Sequence, residues 1–564
     1  MSIQSRRTFL KGAGAVAAAS VLPRPKGAAA AEDAAGKRPP NVVFILTDDQ
    51  GYGDLGCTGN PVLKTPRIDS LCRDGARFAR FHVSPVCTPT RACLMTGRYN
   101  YRTRAIDTYQ GRAMMDPAEV TVAEMLSARG YRTGIFGKWH LGDNYPMRAM
   151  DKGFQESLVH KGGGICQPSE PDNTSYFDPV LVKNGQEFHS KGYCTDVFTD
   201  AAIAFIEANA AQPFFAYCAT NAPHDPLQVA DRYWKPYAGQ GLDERVAREY
   251  GMVANLDENV GRLLDTLDRL KIADNTVVIF MTDNGPAFGK KPRYNAGMRG
   301  EKGTVYEGGI RVPCFVRWPG VVAAGGEIPV LAAHIDVLPT ILEACGLTPP
   351  AEVKLDGRSL WPLVKGDHPE WPDRTLFFQW HRGDVPEAYN NCAAVTQRHK
   401  LVNGRELYDL EADPGEKNDI AADHSDVVQR LRAEYEAWFK DVGGTRGYDP
   451  PRIVLGTAHE NPSVLTRQDW RGCESWGNGQ VGWWEVRVAE AGRYRVTVQF
   501  PKNAAGGEAV FRLNGVELKQ DAGKDTNRCT FPDTEVPAGE GRLETWLQAA
   551  DKRDGAERVW VERV

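Results

Sequence analysis

Four short apolar segments, separated by stretches of helical periodicity, constrain the fold of this chain more than any other feature. They are continuously apolar rather than alternating, as expected of strands buried on both faces of a sheet: Asn41–Leu46, Arg132–Phe136, Phe214–Cys218 and Thr276–Met281. Helical spacing of apolar residues marks further segments: Val120–Arg129, Val197–Ala208, Asp243–Leu270 and His334–Cys345. Strands that alternate with helices predict a doubly wound α/β fold.

Polar side chains closely follow each of these strands. Because functional sites in open α/β sheets lie beyond the carboxyl ends of the strands, these side chains are candidates for one shared site: Asp48, Asp49, His140, His224, Asp283 and Asn284. Two adjacent carboxylates at a strand end repel each other unless a cation lies between them; the alternative is a solvated turn. Carboxylate and amide oxygens favour calcium or magnesium over zinc.

The segment Cys87-Thr88-Pro89-Thr90-Arg91 has the form C-x-P-x-R. Its cysteine is either a nucleophile or a buried thiol ahead of a helix. A position at the N-terminus of a helix would favour negative charge developing on the nucleophile. The motif therefore indicates a reactive residue at position 87.

Three further segments contain basic residues and histidines. Lys138 and His140 lie two positions apart in Gly137–Gly142, so on an extended segment they point to the same side. The other two segments are Ala222–Pro226, which contains His224, and Glu301–Pro313, which contains Lys302 and Arg311. We expect Arg311 to have a packing role.

Taken together, these segments resemble the motifs of the formylglycine-dependent sulfatases, in the family's order, over about residues 39–445. The resemblance implies an alkaline-phosphatase-like fold, with a large mixed, mainly parallel sheet flanked by helices (39–368) and a small antiparallel-sheet α+β subdomain (369–445). In this family a maturation enzyme oxidises the motif cysteine, here Cys87, to 3-oxoalanine (formylglycine). One hydroxyl of the hydrated aldehyde attacks sulfur, and the other is later deprotonated so that sulfate is expelled.

The resemblance also implies a role for each matched residue. Lys138 bridges the formylglycine hydroxyl and the sulfate, and His140 removes the second hydroxyl's proton, which suits a group that titrates near neutrality. His224 contacts the sulfate and helps to protonate the leaving alcohol, Lys302 is the cation on the sulfate and the leaving oxygen, and Arg91 holds the hydrate and metal ligands in place. The implied metal, usually calcium with magnesium as the alternative, is bound by Asp48, Asp49, Cys87, Asp283 and Asn284. Asp283 also resembles the residue that takes the nucleophile's proton.

The first 31 residues predict an export signal. Ser5–Lys11 contains paired arginines, and the apolar run from Ala13 to Leu22 is too short to span a bilayer. We expect export by the twin-arginine machinery to a periplasmic or secreted location; the alternative is a disordered basic tail. No later stretch is apolar enough to be a transmembrane segment. Residues 1–31 carry five basic and no acidic side chains, so their removal takes the formal net charge from −5 to −10 and argues against nucleic acid as a partner.

Residues 453–564 show only β signals and follow a linker at residues 443–451. Asn514-Gly515 lies between two short apolar segments and predicts a hairpin in an appended β-sandwich. Six tryptophans either stack on sugars, as in an accessory carbohydrate-binding domain, or fill the core of the sandwich, which we favour: Trp470, Trp476, Trp483, Trp484, Trp546 and Trp560.

The twelve cysteines are scattered and allow no disulfide assignment. Six of them lie mostly in apolar settings and are predicted to be buried small hydrophobic residues: Cys57, Cys72, Cys93, Cys218, Cys314 and Cys345.

We therefore interpret the chain as a sulfuric ester hydrolase. Export and the C-terminal domain favour a sulfated carbohydrate as the substrate, with aryl sulfates as surrogates. Two alternatives stay open: a phosphonate or phosphate monoester hydrolase, because relatives share the fold and C-x-P-x-R, and a catalytically inactive glycan-binding protein. His160–Gly164 and Gln379–Arg382 are either walls of the substrate pocket or exposed loops.

Overall fold

A computed structural model of the protein describes residues 38–564 apart from 173, 289–292, 368, 503–505, 524–525 and 551. The predicted signal peptide, residues 1–31, lies outside the described residues.

A ten-stranded sheet forms the centre of the molecule. Its strands lie side by side in the order Gly326–Ile328, Ala76–Phe78, Cys314–Arg317, Thr276–Thr282, Asn41–Thr47, Phe214–Ala219, Arg132–Lys138, Glu156–His160, Val180–Lys183 and Gln186–His189. The five strands from Thr276–Thr282 to Glu156–His160 pair in parallel and include all four predicted strands. Antiparallel strands flank this parallel centre. The predicted mixed, mainly parallel sheet is confirmed.

Alternate side chains of the central strand Asn41–Thr47 enter two hydrophobic clusters, one on each face of the sheet. Val42, Phe44 and Leu46 belong to a cluster with helices Cys87–Thr96, Val122–Ser127 and Val337–Ala344. Val43 and Ile45 belong to a second cluster with helices Pro66–Asp74, Cys194–Asn209 and Glu244–Arg269. A strand buried on both faces requires apolar residues at every position, which explains its continuous pattern.

The remaining helices of this unit are short, and two predicted helices have different ends. The short helices are Asn100–Thr103, Asp231–Ala238, Glu307–Ile310 and Trp361–Lys365, with 3-10 turns at Gly56–Thr58, Ala149–Lys152, Ala273–Asn275 and His334–Asp336. The helix predicted from Val120 begins at Val122, because Thr121 and Glu124 form a capping box. The helix predicted from His334 begins with the 3-10 turn. None of the described helices combines the length and the apolar character needed to span a bilayer.

The chain also forms two smaller sheets before residue 453. An antiparallel sheet packs with helix Ser425–Gly443 and contains the strands Leu376–Gln379, Cys392–Val395, His399–Val402 and Glu406–Asp409. A three-stranded sheet contains Arg311–Val312, Phe81–His82 and Ala332–Ala333.

Residues 453–564 form two β-sheets around a common hydrophobic cluster. The first contains Ile453–Leu455, Trp483–Val488, Gly539–Ala549, Glu508–Leu513, Val516–Asp521 and Lys552–Gly555; the second contains Ser463–Thr466, Arg558–Arg563, Gly492–Gln499, Arg528–Thr530 and Thr534–Val536. The predicted hairpin is present, with Leu513 opposite Val516 and positive φ angles of 48° at Asn514 and 82° at Gly515.

The β-sandwich shares its hydrophobic core with the unit that contains the ten-stranded sheet, and the sequence did not predict this contact. Met114 and Met147 lie in the same cluster as the sandwich residues. The backbone amide of Val454 donates to the carbonyl of Tyr145 at 3.0 Å, and the backbone amide of Tyr145 donates to Glu460 at 3.0 Å. The C-terminal unit is therefore packed against the unit that contains the ten-stranded sheet and is not only tethered to it.

The tryptophans and cysteines divide between core and surface. Trp470, Trp484 and Trp546 are buried in the sandwich, whereas Trp476, Trp483 and Trp560 are partly exposed. Four of the six selected cysteines are buried, but Cys57 and Cys72 are only partly buried. A hydrogen bond from Cys57 lowers the pKa of Cys72 to about 7. The twelve cysteines are all free thiols.

Candidate active site

The predicted site residues converge at the carboxyl edge of the central parallel strands. Two of these strands are followed directly by candidate site residues: Asp48 and Asp49 follow Asn41–Thr47, and Asp283 and Asn284 follow Thr276–Thr282. Lys138 is the last residue of strand Arg132–Lys138, and His140 follows it. The sheet therefore brings together residues that are far apart in sequence.

Cys87 is the first residue of helix Cys87–Thr96 and its side chain is buried. Burial raises the pKa of the Cys87 thiol, although Lys138 and Lys302 act in the opposite direction. A thiol that stays protonated at neutral pH is a poor nucleophile. The unmodified cysteine is thus poorly suited to attack an ester.

Two lysines pair with two acidic residues around Cys87. Lys138 Nζ lies 2.6 Å from Asp48 Oδ2, and Lys302 Nζ lies 2.7 Å from Asp49 Oδ1. Burial alone would raise the pKa of Asp49, but Lys302 and His224 bring it well below its usual value. These pairs place two ammonium groups beside the nucleophile position, where they can bind an anionic group.

Arg91 holds Asp283 in place from one turn along the helix that begins at Cys87. Its Nε and Nη2 donate to Asp283 Oδ2 at 3.0 and 2.7 Å, and its Nη1 donates to the carbonyl of Lys138 at 2.9 Å. Burial and the neighbouring Asp48 raise the pKa of Asp283 to about 6 despite Arg91. Arg91 thus joins two strand ends to the helix.

The hydrogen bonds of His140 define its tautomer. Nε2 lies 2.8 Å from the carbonyl oxygen of Thr108, which can only accept, so Nε2 carries the proton. Nδ1 then presents its lone pair to Cys87 Sγ at 3.3 Å. Burial and Lys138 lower the pKa of His140 well below its usual value. This neutral imidazole faces residue 87 as a base.

His224 has the opposite tautomer. Its Nδ1 donates to the carbonyl of Asp225 at 2.7 Å, and its Nε2 lies 3.8 Å from Asp49 Oδ2. Burial lowers the pKa of His224 to about 4, although Asp49 acts in the opposite direction. Arg311 lies apart from these residues and donates to the carbonyl of Ala79, which agrees with a packing role.

The residues present fit a divalent cation. One ligand atom from each of Asp48, Cys87 and Asp283 lies within 4.8 Å of the others. Asp48 Oδ1 and Asn284 Oδ1 are buried and receive no hydrogen bond from any described residue. Buried acceptors without partners are costly, and oxygen ligands suit hard cations. The set could hold a metal ion.

The backbone is strained at two site residues. Asp49 and His140 have φ angles of 62° and 57°, in the left-handed region that non-glycine residues seldom adopt. Such conformations persist where surrounding contacts enforce them, often at functional sites. Gly137, the residue before Lys138 in strand Arg132–Lys138, has a φ of 121°, and a Cβ there would lie 1.9 Å from the carbonyl oxygen of Ala219.

The loop after His160 passes close to His140 and His224. A Cβ on Gly163 would lie 2.7 Å from His140 Cε1, and one on Gly164 would lie 3.3 Å from His224 Nδ1. The glycines therefore allow the backbone to form a wall of the site. His160 itself is buried and its Nδ1 bonds the carbonyl of Lys161.

Sequence patterns missed three residues that support the site. Arg293 donates to the carbonyl of Asp49 at 3.1 Å and pairs with Asp54 and Glu249. Thr108 provides the acceptor for His140, and Gln468 of the β-sandwich donates to the same carbonyl at 2.9 Å. Backbone carbonyls and inter-domain contacts leave no motif in one sequence.

The fold, the oxygen atoms that fit a divalent cation and the two lysines near Cys87 are together typical of hydrolases that act on anionic esters. A model of the sulfatase family matches residues 40–347, and one of the C-terminal region of N-sulphoglucosamine sulphohydrolase matches residues 300–440. The chain belongs to the sulfatase family and hydrolyses sulfate esters. This result favours our sulfatase interpretation over both alternatives.

Known proteins of similar sequence are also sulfatases, and one protein of similar structure was solved in complex with an oligosaccharide. Human arylsulfatase A is 34% identical over 76% of this chain and 92% of its own length. Human N-acetylgalactosamine-6-sulfatase is 33% identical over 64% of this chain and 71% of its own length. The crystal structure of Ps i-CgsB with k-i-k-neocarrahexaose has a TM-score of 0.66 and 28% identity, and covers 73% of this chain and 95% of its own.

A twin-arginine signal sequence matches residues 4–23. The chain is thus marked for export by that pathway, and the predicted periplasmic or secreted location is confirmed.

Proposed function

We propose that this sulfatase removes sulfate from a sulfated carbohydrate through a formylglycine made by oxidation of Cys87. The observation that carries the proposal is the contact between Cys87 Sγ and the unprotonated Nδ1 of His140. A base so placed can remove a proton from a hydroxyl on residue 87. The relatives that act on N-acetylgalactosamine 6-sulfate or bind a carrageenan oligosaccharide support a glycan substrate.

Each residue near position 87 then has a distinct task. Lys138 and Lys302 bind the sulfate oxygens, since both ammonium groups lie beside the nucleophile. His224 faces the site through Nε2, and this nitrogen has to take up a proton before it can help to protonate the leaving alcohol. His140 takes the proton of the second hydroxyl, so that sulfate can leave. Arg91 positions Asp283, which takes the proton of the attacking hydroxyl.

Five residues would hold a divalent cation, for which we propose calcium: Asp48, Asp49, Asp283, Asn284 and the modified Cys87. When bound, the cation polarises the hydroxyl on residue 87 and offsets negative charge on a sulfate oxygen. Three further points stay predictions. They are a sugar-binding role for the C-terminal sandwich, the domain limits at residues 368, 445 and 453, and the need for a maturation enzyme.

Mass spectrometry of the exported enzyme tests the oxidation of Cys87. We expect formylglycine in the peptide that contains residue 87. Cys87→Ala should abolish hydrolysis of p-nitrophenyl sulfate, whereas Cys93→Ala, a buried thiol in the same helix, should stay active. Fully active enzyme with an intact thiol at position 87 would disprove the mechanism.

Sulfate released from a panel of defined sulfated sugars tests the substrate class. We expect faster turnover of at least one sugar than of p-nitrophenyl sulfate, and little turnover of p-nitrophenyl phosphate. Hydrolysis of aryl sulfate without hydrolysis of any sugar would contradict the glycan substrate and leave the chemistry of Cys87 intact.

A further inference from the structure

Three arginines, one from each unit of the protein, meet at the rim of the active site. Arg382 Nη1 lies 2.6 Å from Asp107 Oδ1, and Arg112 Nε lies 3.5 Å from Asp107 Oδ2. Arg471 of the β-sandwich and Arg112 both pair with Asp384, at 2.9 and 3.5 Å. Three guanidinium groups thus share these two carboxylates, and Glu485 and Asp449 also lie near Arg471.

Arg382 is the member of this cluster that is available to a ligand. Its side chain is 51% exposed, whereas Arg112 and Arg471 are 7% and 11% exposed. Its Nη1 makes both of its hydrogen bonds, to Asp107 and to Thr108 Oγ1, while Nε and Nη2 make none with the described residues. The two remaining nitrogens can form a paired contact with a carboxylate or sulfate.

Two aromatic rings hold the Arg382 guanidinium in place. Its central carbon lies 4.4 Å from the centre of the Tyr109 ring and 5.0 Å from that of Trp380. The indole nitrogen of Trp380 also donates to Asp107 at 3.0 Å. A cation fixed in this way loses little side-chain entropy when a ligand binds.

The arginine lies next to the catalytic residues. Thr108 bonds Arg382 through its hydroxyl at 2.8 Å and His140 through its carbonyl at 2.8 Å. On the other side, a Cβ on Gly303, which follows Lys302, would lie 3.2 Å from the Trp380 ring. When the sulfate ester of a sugar reaches residue 87, the other charged groups of the same glycan therefore lie near this rim.

We propose that Arg382, flanked by Tyr109 and Trp380, is a subsite for a second negatively charged group of the substrate. This inference rests on the proposed glycan substrate. The group is a carboxylate or a further sulfate on the glycan, and the subsite selects polyanionic glycans over substrates that carry one sulfate. The exposure of Arg382, its two nitrogens without hydrogen bonds and its fixed position between two rings are the basis of the selection.

Kinetics with matched substrates test the subsite. The substrates are p-nitrophenyl sulfate, a monosulfated disaccharide, and the same disaccharide with either a uronate or a second sulfate, which separates the two sources of charge. For Arg382→Gln we expect kcat/KM to fall about 10-fold or more on at least one doubly charged sugar, mainly through KM, because a bond between charged groups is lost. Turnover of the two singly charged substrates should change less than about 3-fold.

Two further variants and a salt series sharpen the test. Arg382→Lys should recover part of the preference, and Arg405→Gln, an exposed arginine of the same unit, should leave it unchanged. The preference of the wild type should weaken as sodium chloride is raised, because salt screens exposed charges. An equal loss on all substrates, or no loss on any doubly charged sugar, overturns the subsite. If the wild type hydrolyses p-nitrophenyl sulfate but no sugar, the glycan substrate fails as well.

Discussion

Gln468 of the β-sandwich donates a hydrogen bond of 2.9 Å to the carbonyl oxygen of Thr108. The same oxygen accepts the proton of His140 Nε2 at 2.8 Å. A residue of the C-terminal unit therefore helps to fix the acceptor that sets the tautomer of His140, the proposed base. The sandwich therefore contributes to the geometry of the site, independently of any role in binding a glycan.

We expect deletion of residues 453–564 to reduce hydrolysis of small substrates as well as polymers. The deletion exposes Met114 and Met147 and removes Gln468. We expect a lower melting temperature and loss of most activity on p-nitrophenyl sulfate. Because the truncated protein could simply unfold, Gln468→Leu provides a second test.

Gln468→Leu should lower kcat on p-nitrophenyl sulfate with little change in KM and in melting temperature. Gln520→Leu on the edge strand Val516–Asp521 is the matched control and should match the wild type in kcat. A truncated enzyme with full activity on aryl sulfate would show that the sandwich is dispensable for the chemistry.

The sequence predicted the centre of the fold and site because both depend on local patterns. Strand Asn41–Thr47 is apolar from Val42 to Leu46 since both of its faces are buried, and Asp48 and Asp49 follow it directly. Contacts that depend on the packing of distant segments were not predictable. The carbonyl of Thr108 and the side chain of Gln468 are 360 residues apart, and neither belongs to a motif.

The edges of the sheet were also missed, for a physical reason. Strand Gln186–His189 is exposed at all four positions and carries no apolar alternation. Such a strand is specified by pairing with Val180–Lys183 rather than by burial. The sequence signal for a strand is strongest where burial is greatest.

Asn284→Ala should weaken calcium binding. The Oδ1 atom of Asn284 is buried without a hydrogen-bond donor among the described residues, as expected of a metal ligand. Since the number of ligands sets calcium affinity, we expect the Kd to rise by about tenfold or more. Calorimetric titration of chelator-treated enzyme measures this Kd. Asn418→Ala, at an exposed position, is the control; equal affinities for both variants would exclude Asn284 as a ligand.

Arg91→Lys should lower both stability and kcat/KM. A lysine cannot replace the three hydrogen bonds that Arg91 makes to Asp283 and the Lys138 carbonyl in a buried site. A weakened buried ion pair costs about 3 kcal/mol in unfolding free energy. Thermal and urea unfolding measure the cost. Arg311→Lys should keep activity near that of the wild type; if the two variants lose kcat/KM to the same extent, Arg91 has no special role in positioning the metal ligands.

Glu170 should make the protein less stable as the pH rises. Burial raises the pKa of Glu170 from 4.5 to about 8, although the backbone amide of Lys161 opposes this. Between about pH 4.5 and 8 the folded carboxyl keeps a proton that the unfolded one has lost, so the stability from this group is present at low pH and is lost across that range. Glu170→Gln should make the fall in unfolding free energy shallower by up to about 1.4 kcal/mol per pH unit.

Melting temperatures measured from pH 5 to 9 test the role of Glu170. Loss of the proton leaves a buried charge beside Asp143, which repels it, although Arg558 of the β-sandwich attracts it and also bonds the carbonyl oxygen of Glu170. The control is Glu535→Gln, an exposed carboxylate on strand Thr534–Val536. We expect the curves of wild type and Glu535→Gln to fall together, and that of Glu170→Gln to lie above them at alkaline pH. Three parallel curves would show that Glu170 is already ionised in the folded protein at neutral pH.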